Sequence, residues 1–182
     1  RNPVSMSSNV LYGLYRSVYT RIAAMTFIEK GVCFELEEIE IFGPSGVPAS
    51  HLRRHPFGRI PVLKCGEFWL YETHAICRYI DEAFDGPPLQ PAEPAARARM
   101  AQTIGVLDSY AYRPMVWDVF VQRFDAASLG HEADEIVIAS AMPKIRLALF
   151  VLENLLGDRP YFGSSSPSLA DLHAYPLLAL LG

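Results

Sequence analysis

The segment FGRIPVLKCGEFWLYETHAICRYI, residues Phe57–Ile80, determines the fold class of the first half of the chain. Its two apolar runs, Pro61–Lys64 and Phe68–Tyr71, flank Cys65-Gly66-Glu67, and this pattern predicts a β-hairpin. From Glu72 to Phe84 the apolar residues recur at helical spacing, which predicts a helix directly after the hairpin. The segment is therefore expected to fold as ββα.

The residues before this segment predict a βαβ unit. Val10–Tyr12 is a short apolar run typical of a buried strand, and Val18–Glu29 carries apolar residues at helical spacing. Cys33–Ile41 alternates as a strand does, but the alternation changes parity near Glu38, where a bulge or a strand end is expected. Residues 9–84 therefore predict one α+β domain of order βαβ-ββα.

A stiff linker and an all-helical second domain are predicted for the rest of the chain. Residues 85–94, DGPPLQPAEP, contain four prolines, which exclude a helix or a central strand. In residues 95–182, Ala95–Phe124 predicts one long helix, or two helices divided near Pro114, and Asp134–Leu156 predicts another. A third helix is expected to begin at Ser168, where Asp171 gives the spacing of a capping box.

Composition excludes several classes of protein. With 51% apolar and 20% charged residues the chain is not disordered, and a net charge of -4 disfavours nucleic acid as a partner. No apolar run is long enough for a membrane span, and no secretory leader is expected. Three cysteines without zinc-like spacing favour a reducing compartment, so a cytoplasmic location is predicted. We expect Cys33, Cys65 and Cys77 to be buried apolar residues, and the five histidines predict no metal site.

Three short segments place polar groups where one element ends and the next begins. Ser17 stands at the entrance of a helix, where its hydroxyl either caps the helix or donates to an anion at the positive helix end. Pro61 precedes an edge-type strand, which suits a cis bond and leaves the backbone groups of its neighbour free for a peptide-like ligand. Glu72 and Thr73 begin the last helix of the domain, either as a plain cap or as a site for an ammonium and a carboxylate.

Taken together, these motifs resemble those of the glutathione S-transferase family. The resemblance extends from Val10 to about Gly182, and four stretches carry it. They are LYGLYRSVYTR (Leu11–Arg21), HPFGRIPVL (His55–Leu63), FWLYETHAICRYI (Phe68–Ile80) and SPSLADLHAYP (Ser166–Pro176). The resemblance implies the glutathione transferase fold, with a thioredoxin-like first domain that binds glutathione and a helical second domain that lines a pocket for the electrophile. It also implies a homodimer, and glutathione as a co-substrate with no further cofactor.

The resemblance assigns roles to individual residues. The first motif looks most like the serine-dependent members of the phi and theta type, so Ser17 is expected to donate to the glutathione sulfur. Tyr12 is the second choice, because tyrosine-dependent members place their phenol there. Glutathione is expected to contact five further residues, of which Ile60 meets its cysteinyl backbone, Arg59 its glycyl carboxylate and the Glu-Thr pair its γ-glutamyl group. The five are Arg59, Ile60, Pro61, Glu72 and Thr73.

The sequence departs from the family in one contact. The His-Lys pair of phi-type members is absent, since Gly46-Val47-Pro48 occupies that stretch, and Arg53 or Arg54 is a candidate substitute. The pocket for the hydrophobic electrophile is assigned by position alone, with at least half of its candidates expected to be core residues. These candidates are Leu14, Tyr15, Tyr112, Met115 and Trp117. Subunit contacts are expected to bury Met100, Ile104, Leu107 and Tyr110.

The predicted function is transfer of glutathione to an alkyl, aryl or epoxide carbon. A non-catalytic binding or interaction protein with the same fold is the main alternative, because the His-Lys pair is missing. A glutathione-dependent thiol reductase, isomerase or dehalogenase is the other; the reductase is the least favoured, because it needs a cysteine where Ser17 stands.

Overall fold

The computed structural model describes residues 9–125, 130, 132–163 and 165–181. The chain divides into two compact units, with the division between Pro88 and Leu89. In the part of the chain that the structure describes, no helix is both long enough and apolar enough to span a bilayer.

The first unit is built on one mixed four-stranded sheet. Its strands are β1 (Asn9–Gly13), β2 (Glu35–Glu38), β3 (Val62–Cys65) and β4 (Phe68–Tyr71), in the spatial order β2-β1-β3-β4. β1 is parallel to β2 and antiparallel to β3, and β3 and β4 form the predicted hairpin. The helices are α1 (Val18–Glu29), α2 (Ala49–Leu52) and α3 (Thr73–Ala83). The predicted order βαβ-ββα is confirmed, with the short α2 added between β2 and β3.

The two faces of the sheet are covered differently. Alternation along the strands sends Leu11 and Leu63 to the face on which α1 and α3 pack, and both side chains are fully buried. Tyr12 and Val62 lie on the opposite face, in a smaller core that Ile39 and Tyr71 extend. Tyr12 is therefore turned away from α1, the helix that Ser17 begins.

The edge strand β2 ends where the sequence pattern predicted. Glu38 is paired with Gly13, and the next amide, that of Ile39, donates to the Gly13 carbonyl (3.1 Å) after the strand has ended. The expectation that all three cysteines are buried is wrong. Cys77 is buried in α3, but Cys65 is half-buried and Cys33 is exposed, because it lies in the connection that leads to this edge strand.

The second unit begins with a long helical segment. Helix α4 (Pro94–Val106) continues as π-helical turns through Leu107–Ala111 and Arg113–Asp125. The segment runs through Pro114 without a break, so of the two predicted alternatives the structure has the single long helical segment and not the division near this proline. A proline disrupts a regular α-helix through its missing N–H and its ring, and here it lies among wider turns that the sequence pattern did not predict.

The apolar face of α4 is buried within its own unit. Met100, Ile104 and Leu107 are 3%, 1% and 1% exposed, because α4 packs against α5 (Glu135–Leu156) and α6 (Leu169–Leu178). The expectation that subunit contacts bury these three residues is therefore wrong. Tyr110, by contrast, is 67% exposed.

The predicted capping box at the start of α6 is confirmed. The Asp171 carboxylate accepts hydrogen bonds from the amide (2.7 Å) and the hydroxyl (2.8 Å) of Ser168. It also accepts from the amide of Phe162 (2.8 Å), so it fixes the preceding loop together with the helix. A three-residue 3₁₀ turn, Ala179–Leu181, follows α6.

Candidate functional site

The register of the sheet brings the three predicted site segments to one end of the first unit. Tyr12, near the end of β1, is paired with Val62 at the start of β3, and Val62 is paired with Tyr71 at the end of β4. Ser17 follows β1, Ile60 and Pro61 precede β3, and Glu72 and Thr73 follow β4. Because each segment lies next to the paired end of a strand, all three lie at the same end of the sheet.

Ser17 caps α1 and still has a hydrogen to donate. Its Oγ accepts from the amide of Thr20 (3.4 Å), and its own amide donates to the Leu14 carbonyl (2.9 Å). The side chain is half-buried, and its hydroxyl hydrogen has no acceptor within the described residues. A cap accepts through oxygen, so capping and donation to an anion are compatible at this position.

Gly13 allows α1 to approach the end of β1. A Cβ atom at this position would lie 2.4 Å from Oγ1 of Thr20, a buried side chain of α1. Any other residue would therefore push the first turn of the helix, and Ser17 with it, away from the sheet.

Tyr12 is engaged on the opposite face of the sheet. Its ring is 5% exposed, stacks on Trp69 (centroids 5.6 Å apart) and lies under the Arg54 guanidinium, 4.0 Å from the ring centroid. Burial, followed by the negative charge of Glu37, raises the pKa of its phenol. A buried phenol with a raised pKa is a poor donor to a thiolate, which favours Ser17 over Tyr12.

Both candidate substitutes for the missing His-Lys pair already make contacts within the first unit. Arg54, besides its contact with Tyr12, lies 3.8 Å from the Glu37 carboxylate. Arg53 is exposed, and its guanidinium bonds to the carbonyl of Ala49 (3.4 Å) in the preceding turn.

The loop before β3 presents unpaired backbone groups. The Ile60–Pro61 peptide is cis, as the sequence suggested, and Ile60 is 8% exposed. Neither the N–H nor the C=O of Ile60 makes a backbone hydrogen bond within the described residues. An extended peptide needs such a donor and acceptor to pair with the loop. Arg59, which precedes them, is exposed.

Glu72 and Thr73 form the start of α3 in an unusual conformation. Glu72 has φ of 74°, the one positive value at a non-glycine residue in the described part of the chain. Such a conformation costs about 1–3 kcal/mol and is typical of ligand-binding positions. The Glu72 side chain makes no capping hydrogen bond and is exposed, while Thr73 is 8% exposed. The plain N-cap alternative for Glu72 is thus not supported, and its carboxylate is available to a cation.

The five residues predicted for the electrophile pocket differ widely in exposure. Two belong to the first unit and three to the second, and they range from fully buried to largely exposed. Leu14 is 8% exposed, Tyr15 71%, Met115 0% and Trp117 36%, and Tyr112 is half-buried. Met115 belongs to the core of its unit, in line with the expectation that many of these positions are core, and the pocket itself stays a prediction.

Two buried histidines that the sequence reasoning left without a role support the loop before β3. Nε2 of His51 donates to the Arg59 carbonyl (2.7 Å), and Nδ1 of His55 accepts from the Phe57 amide (3.3 Å). The rings are 0% and 2% exposed, and that of His55 also packs on Tyr71. Their spacing of four residues, with His55 as the first residue of HPFG, was the available signal. His131 lies outside the described residues, and within them no three metal-ligating side chains gather.

The acid stability of the first unit is expected to depend on His55. Burial, followed by the charges of His51 and Arg59, lowers its pKa, and Glu72 opposes this shift. Because the pKa is lower in the folded state, the fold favours neutral imidazole, and stability is lost as the pH falls below about 6.5 and through the folded value. The melting temperature should therefore decrease between pH 7.5 and pH 5.5.

The matched variant for this prediction is His55→Asn. Its side-chain oxygen is placed to accept from the Phe57 amide as Nδ1 does, but it does not titrate. The loss of melting temperature on acidification should be smaller in this variant, and the titration of His74, whose pKa burial also lowers, remains in both proteins. Equal acid losses in the two proteins would contradict the prediction.

Comparison with known proteins gives a consistent family for both units. Residues 11–88 match the family model of the glutathione S-transferase N-terminal domain, and residues 104–182 match that of the C-terminal domain. Glutathione S-transferase F10 of Arabidopsis thaliana is 32% identical over 161 residues, which span 87% of this chain and 74% of that protein. A stringent starvation protein A homolog of Haemophilus ducreyi is 27% identical over 168 residues, 92% and 72% of the two chains. The crystal structure of glutathione transferase F7 from Populus trichocarpa has a TM-score of 0.83 at 29% identity, covering 95% of this chain and 82% of that one.

Proposed function

Since the chain belongs to the glutathione S-transferase family, we propose that it binds glutathione at this end of the sheet and activates its thiol for transfer. The observation that carries the proposal is the Ser17 hydroxyl, which caps α1 and keeps its hydrogen for an anion. The first unit then supplies the glutathione site, and the second unit contributes to the pocket for the electrophile.

The chemical task of Ser17 is to favour the thiolate over the thiol. A free thiol has a pKa of about 8.5, so about 3% of it is ionised at pH 7. A hydrogen bond to the anion, together with the positive end of α1, lowers this pKa. A decrease of about two pH units corresponds to about 2.7 kcal/mol. The proton leaves to solvent, and Ser17 acts as a donor without forming a covalent bond.

The rest of glutathione is held by the other two segments. The unpaired N–H and C=O of Ile60 bind the cysteinyl backbone, while Pro61 ends the loop at β3. The Glu72 carboxylate accepts the γ-glutamyl ammonium, and the Thr73 hydroxyl and the amides at the start of α3 bind its carboxylate. Arg59, which is exposed, is proposed to bind the glycyl carboxylate.

The proposed reaction is attack of the thiolate on a hydrophobic electrophile. A carbon–sulfur bond forms at an alkyl, aryl or epoxide carbon. A leaving group departs with the bonding electrons, or the epoxide oxygen takes a proton from solvent. The proposed second substrate is a hydrophobic small molecule, in a detoxification role, and the proposed cytoplasmic location rests on three cysteines without paired spacing.

Calorimetry and a conjugation assay test the proposal together. We expect the protein to bind glutathione and to transfer it to an aryl halide or an epoxide. Retention on a glutathione-affinity column is the simplest first measurement. A protein that flows through the column, gives no heat of binding and forms no conjugate would contradict the proposal.

A non-catalytic member of the family remains the second candidate. Two observations favour it: the His-Lys pair is missing, and one similar protein has a name that states no transferase activity. A pure scaffold would not bind glutathione, so the affinity column separates the two candidates. A thiol reductase is disfavoured because a serine, Ser17, stands where that chemistry needs a cysteine.

Loss of the Glu72 or Thr73 contact is expected to weaken glutathione binding. Glu72→Ala and Thr73→Ala should each cost about 1.5–3 kcal/mol, as lost hydrogen bonds to a charged group. Turnover at saturating glutathione should change less, because neither side chain acts on the sulfur. Thr73→Ser, which keeps the hydroxyl, and Glu82→Gln, at an exposed position further along α3, are the controls. Unaltered affinity in both alanine variants, measured by calorimetry, would show that this part of the site is misplaced.

We also propose that the protein forms a homodimer. The exposed aromatic side chains of the first unit include Phe57 (73%), Phe68 (44%) and Trp69 (40%), and those of the second include Tyr110 (67%). Exposed apolar residues of this kind are typical of subunit contacts. Sedimentation at micromolar concentration should give about twice the chain mass of 20.3 kDa. A single species at the chain mass would contradict the dimer.

A further inference from the structure

We infer that His51 is a positioning residue for the glutathione site: its imidazole holds the Arg59–Ile60 peptide so that the Ile60 N–H points toward the ligand. The inference rests on the proposed function, because it concerns how this chain prepares the loop that would bind the cysteinyl part of glutathione. His51 itself does not contact the ligand and lies in the short helix α2, behind the loop.

The hydrogen bonding of His51 shows what this side chain contributes. It is fully buried, and its Nε2 lies 2.7 Å from the Arg59 carbonyl oxygen. A carbonyl only accepts, so the hydrogen is on Nε2 and the imidazole donates. Nδ1 is also buried but makes no hydrogen bond within the described residues.

A histidine is an unfavourable choice if this position only fills the core. Leaving one buried ring nitrogen unsatisfied is costly, whereas an apolar side chain of similar size would fill the same space without that cost. The hydrogen bond to the Arg59 carbonyl is therefore the feature that distinguishes His51 from an apolar residue here. That bond acts on the backbone of the loop, one residue before Ile60.

Peptide geometry carries the effect of this bond to Ile60. The Arg59–Ile60 peptide is trans, since Ile60–Pro61 is the one cis bond in the described residues. In a trans peptide the C=O and the following N–H point in opposite directions. Holding the Arg59 carbonyl inward, on His51, directs the Ile60 N–H away from α2. This N–H has no backbone partner, so it is available to the cysteinyl carbonyl of a bound glutathione.

The remaining bonds of the loop do not fix this peptide. The His55 amide donates to the His51 carbonyl (2.8 Å), and the Gly58 amide donates to the His55 carbonyl (2.9 Å). With the Phe57 amide on the His55 ring, these bonds define the turn as far as Gly58. The bond from His51 is the last one before Ile60, so its loss frees the orientation of the Arg59–Ile60 peptide while the turn stays folded.

The expected effect is on glutathione affinity and not on the chemistry of the sulfur. Ser17 lies on a different loop, so the pKa of bound glutathione should not change when His51 is replaced. Two variants separate positioning from packing. His51→Gln places an amide N–H where Nε2–H was, whereas His51→Phe keeps a ring of similar size without the donor.

The experiment compares glutathione binding and steady-state kinetics of the wild type and the two variants. We expect His51→Phe to weaken glutathione binding and raise KM about three- to tenfold, as for one lost hydrogen bond. Its kcat at saturating glutathione and the pH titration of the bound thiol should match the wild type. His51→Gln should restore the affinity to within about twofold. His51→Met replaces His51→Phe if the latter does not fold, as judged by circular dichroism.

The outcomes distinguish the inference from the proposed function. Wild-type affinity in a folded variant without the donor would overturn the inference alone, and so would failure of a folded His51→Gln to restore affinity. A change in kcat or in the pKa of bound glutathione with unaltered KM would also overturn it. Absence of glutathione binding by the wild type would overturn the proposed function, and the inference with it.

Discussion

Replacing Ser17 with alanine is expected to raise the pKa of bound glutathione toward its free value and to lower turnover at neutral pH by about ten- to a hundredfold. The physical reason is the loss of the half-buried Ser17 hydroxyl at the N-terminus of α1, whose hydrogen has no acceptor in the described residues. Without this donor the thiol is favoured over the thiolate. Activity should recover in part at high pH, where the thiolate forms unaided. The measurement is the ultraviolet absorbance of the thiolate in the glutathione complex, titrated with pH.

The capping role of Ser17 requires a control, because removing a cap destabilises the helix by about 0.5–2 kcal/mol. Ser17→Gly also removes the hydroxyl, but glycine replaces serine at an N-cap with a loss of only a few tenths of a kcal/mol. Both variants should therefore show the same shift in the thiol titration, while their melting temperatures differ. Ser17→Thr keeps the hydroxyl and should retain the low thiol pKa.

Tyr12→Phe tests the second candidate in the same titration. Tyr12 is paired with Glu37 across β1 and β2, and its ring contacts Trp69 and Arg54. Removal of the Tyr12 hydroxyl should therefore leave the pKa of bound glutathione unaltered. A shift in Tyr12→Phe, with none in Ser17→Ala and Ser17→Gly, would reverse the assignment and make the protein a tyrosine-dependent member.

Local signals in the sequence were sufficient for every element of the first unit except the short α2. The parity change near Glu38 predicted the end of β2, because one residue of slip moves every later side chain to the other face. The hairpin turn after Cys65 and the capping box of Ser168 were equally readable, since their hydrogen bonds join residues close in sequence. Each of these features is determined by a few neighbouring residues, so it could be predicted from the sequence and is present in the structure.

Features that depend on tertiary packing could not be predicted. The sequence predicts an apolar face on α4. It does not show whether a neighbouring helix or another subunit covers Met100 and Ile104, which are buried within their own unit. The spacing of His51 and His55 marks the pair, but the hydrogen bond from His51 to the backbone carbonyl eight residues later follows only from the folded loop. The proximity of Tyr12 to Glu37 likewise follows from the parallel pairing of β1 with β2.

One buried ion pair holds the end of the first unit together. The Lys30 ammonium lies 3.0 Å from the Asp81 carboxylate, and the two side chains are 3% and 6% exposed. The Lys30 ammonium also donates to the backbone carbonyls of Asp81 (3.1 Å) and Pro87 (3.0 Å). The ammonium thus joins the end of α1 to the last turn of α3 and to the segment that follows it. Gly86 fits this arrangement because a Cβ there would lie 2.7 Å from the Lys30 carbonyl oxygen.

Lys30→Met is expected to have the largest effect on stability of any single change considered for this chain. It leaves the buried Asp81 carboxylate without its cation, which costs about 3–5 kcal/mol. For a chain of this size that corresponds to a decrease in melting temperature of about 6–20 °C. The double variant Lys30→Met/Asp81→Leu should recover much of the loss, because replacing both members of a buried pair with apolar residues is often neutral.

Arg78→Ala, which breaks an exposed pair with Glu82 on the same helix, should cost less than about 1 kcal/mol. Thermal unfolding followed by circular dichroism measures all three. A melting temperature of Lys30→Met within 2 °C of that of Arg78→Ala, a margin below about 1 kcal/mol, would mean that water reaches Asp81 and that the pair does not hold the two helices together.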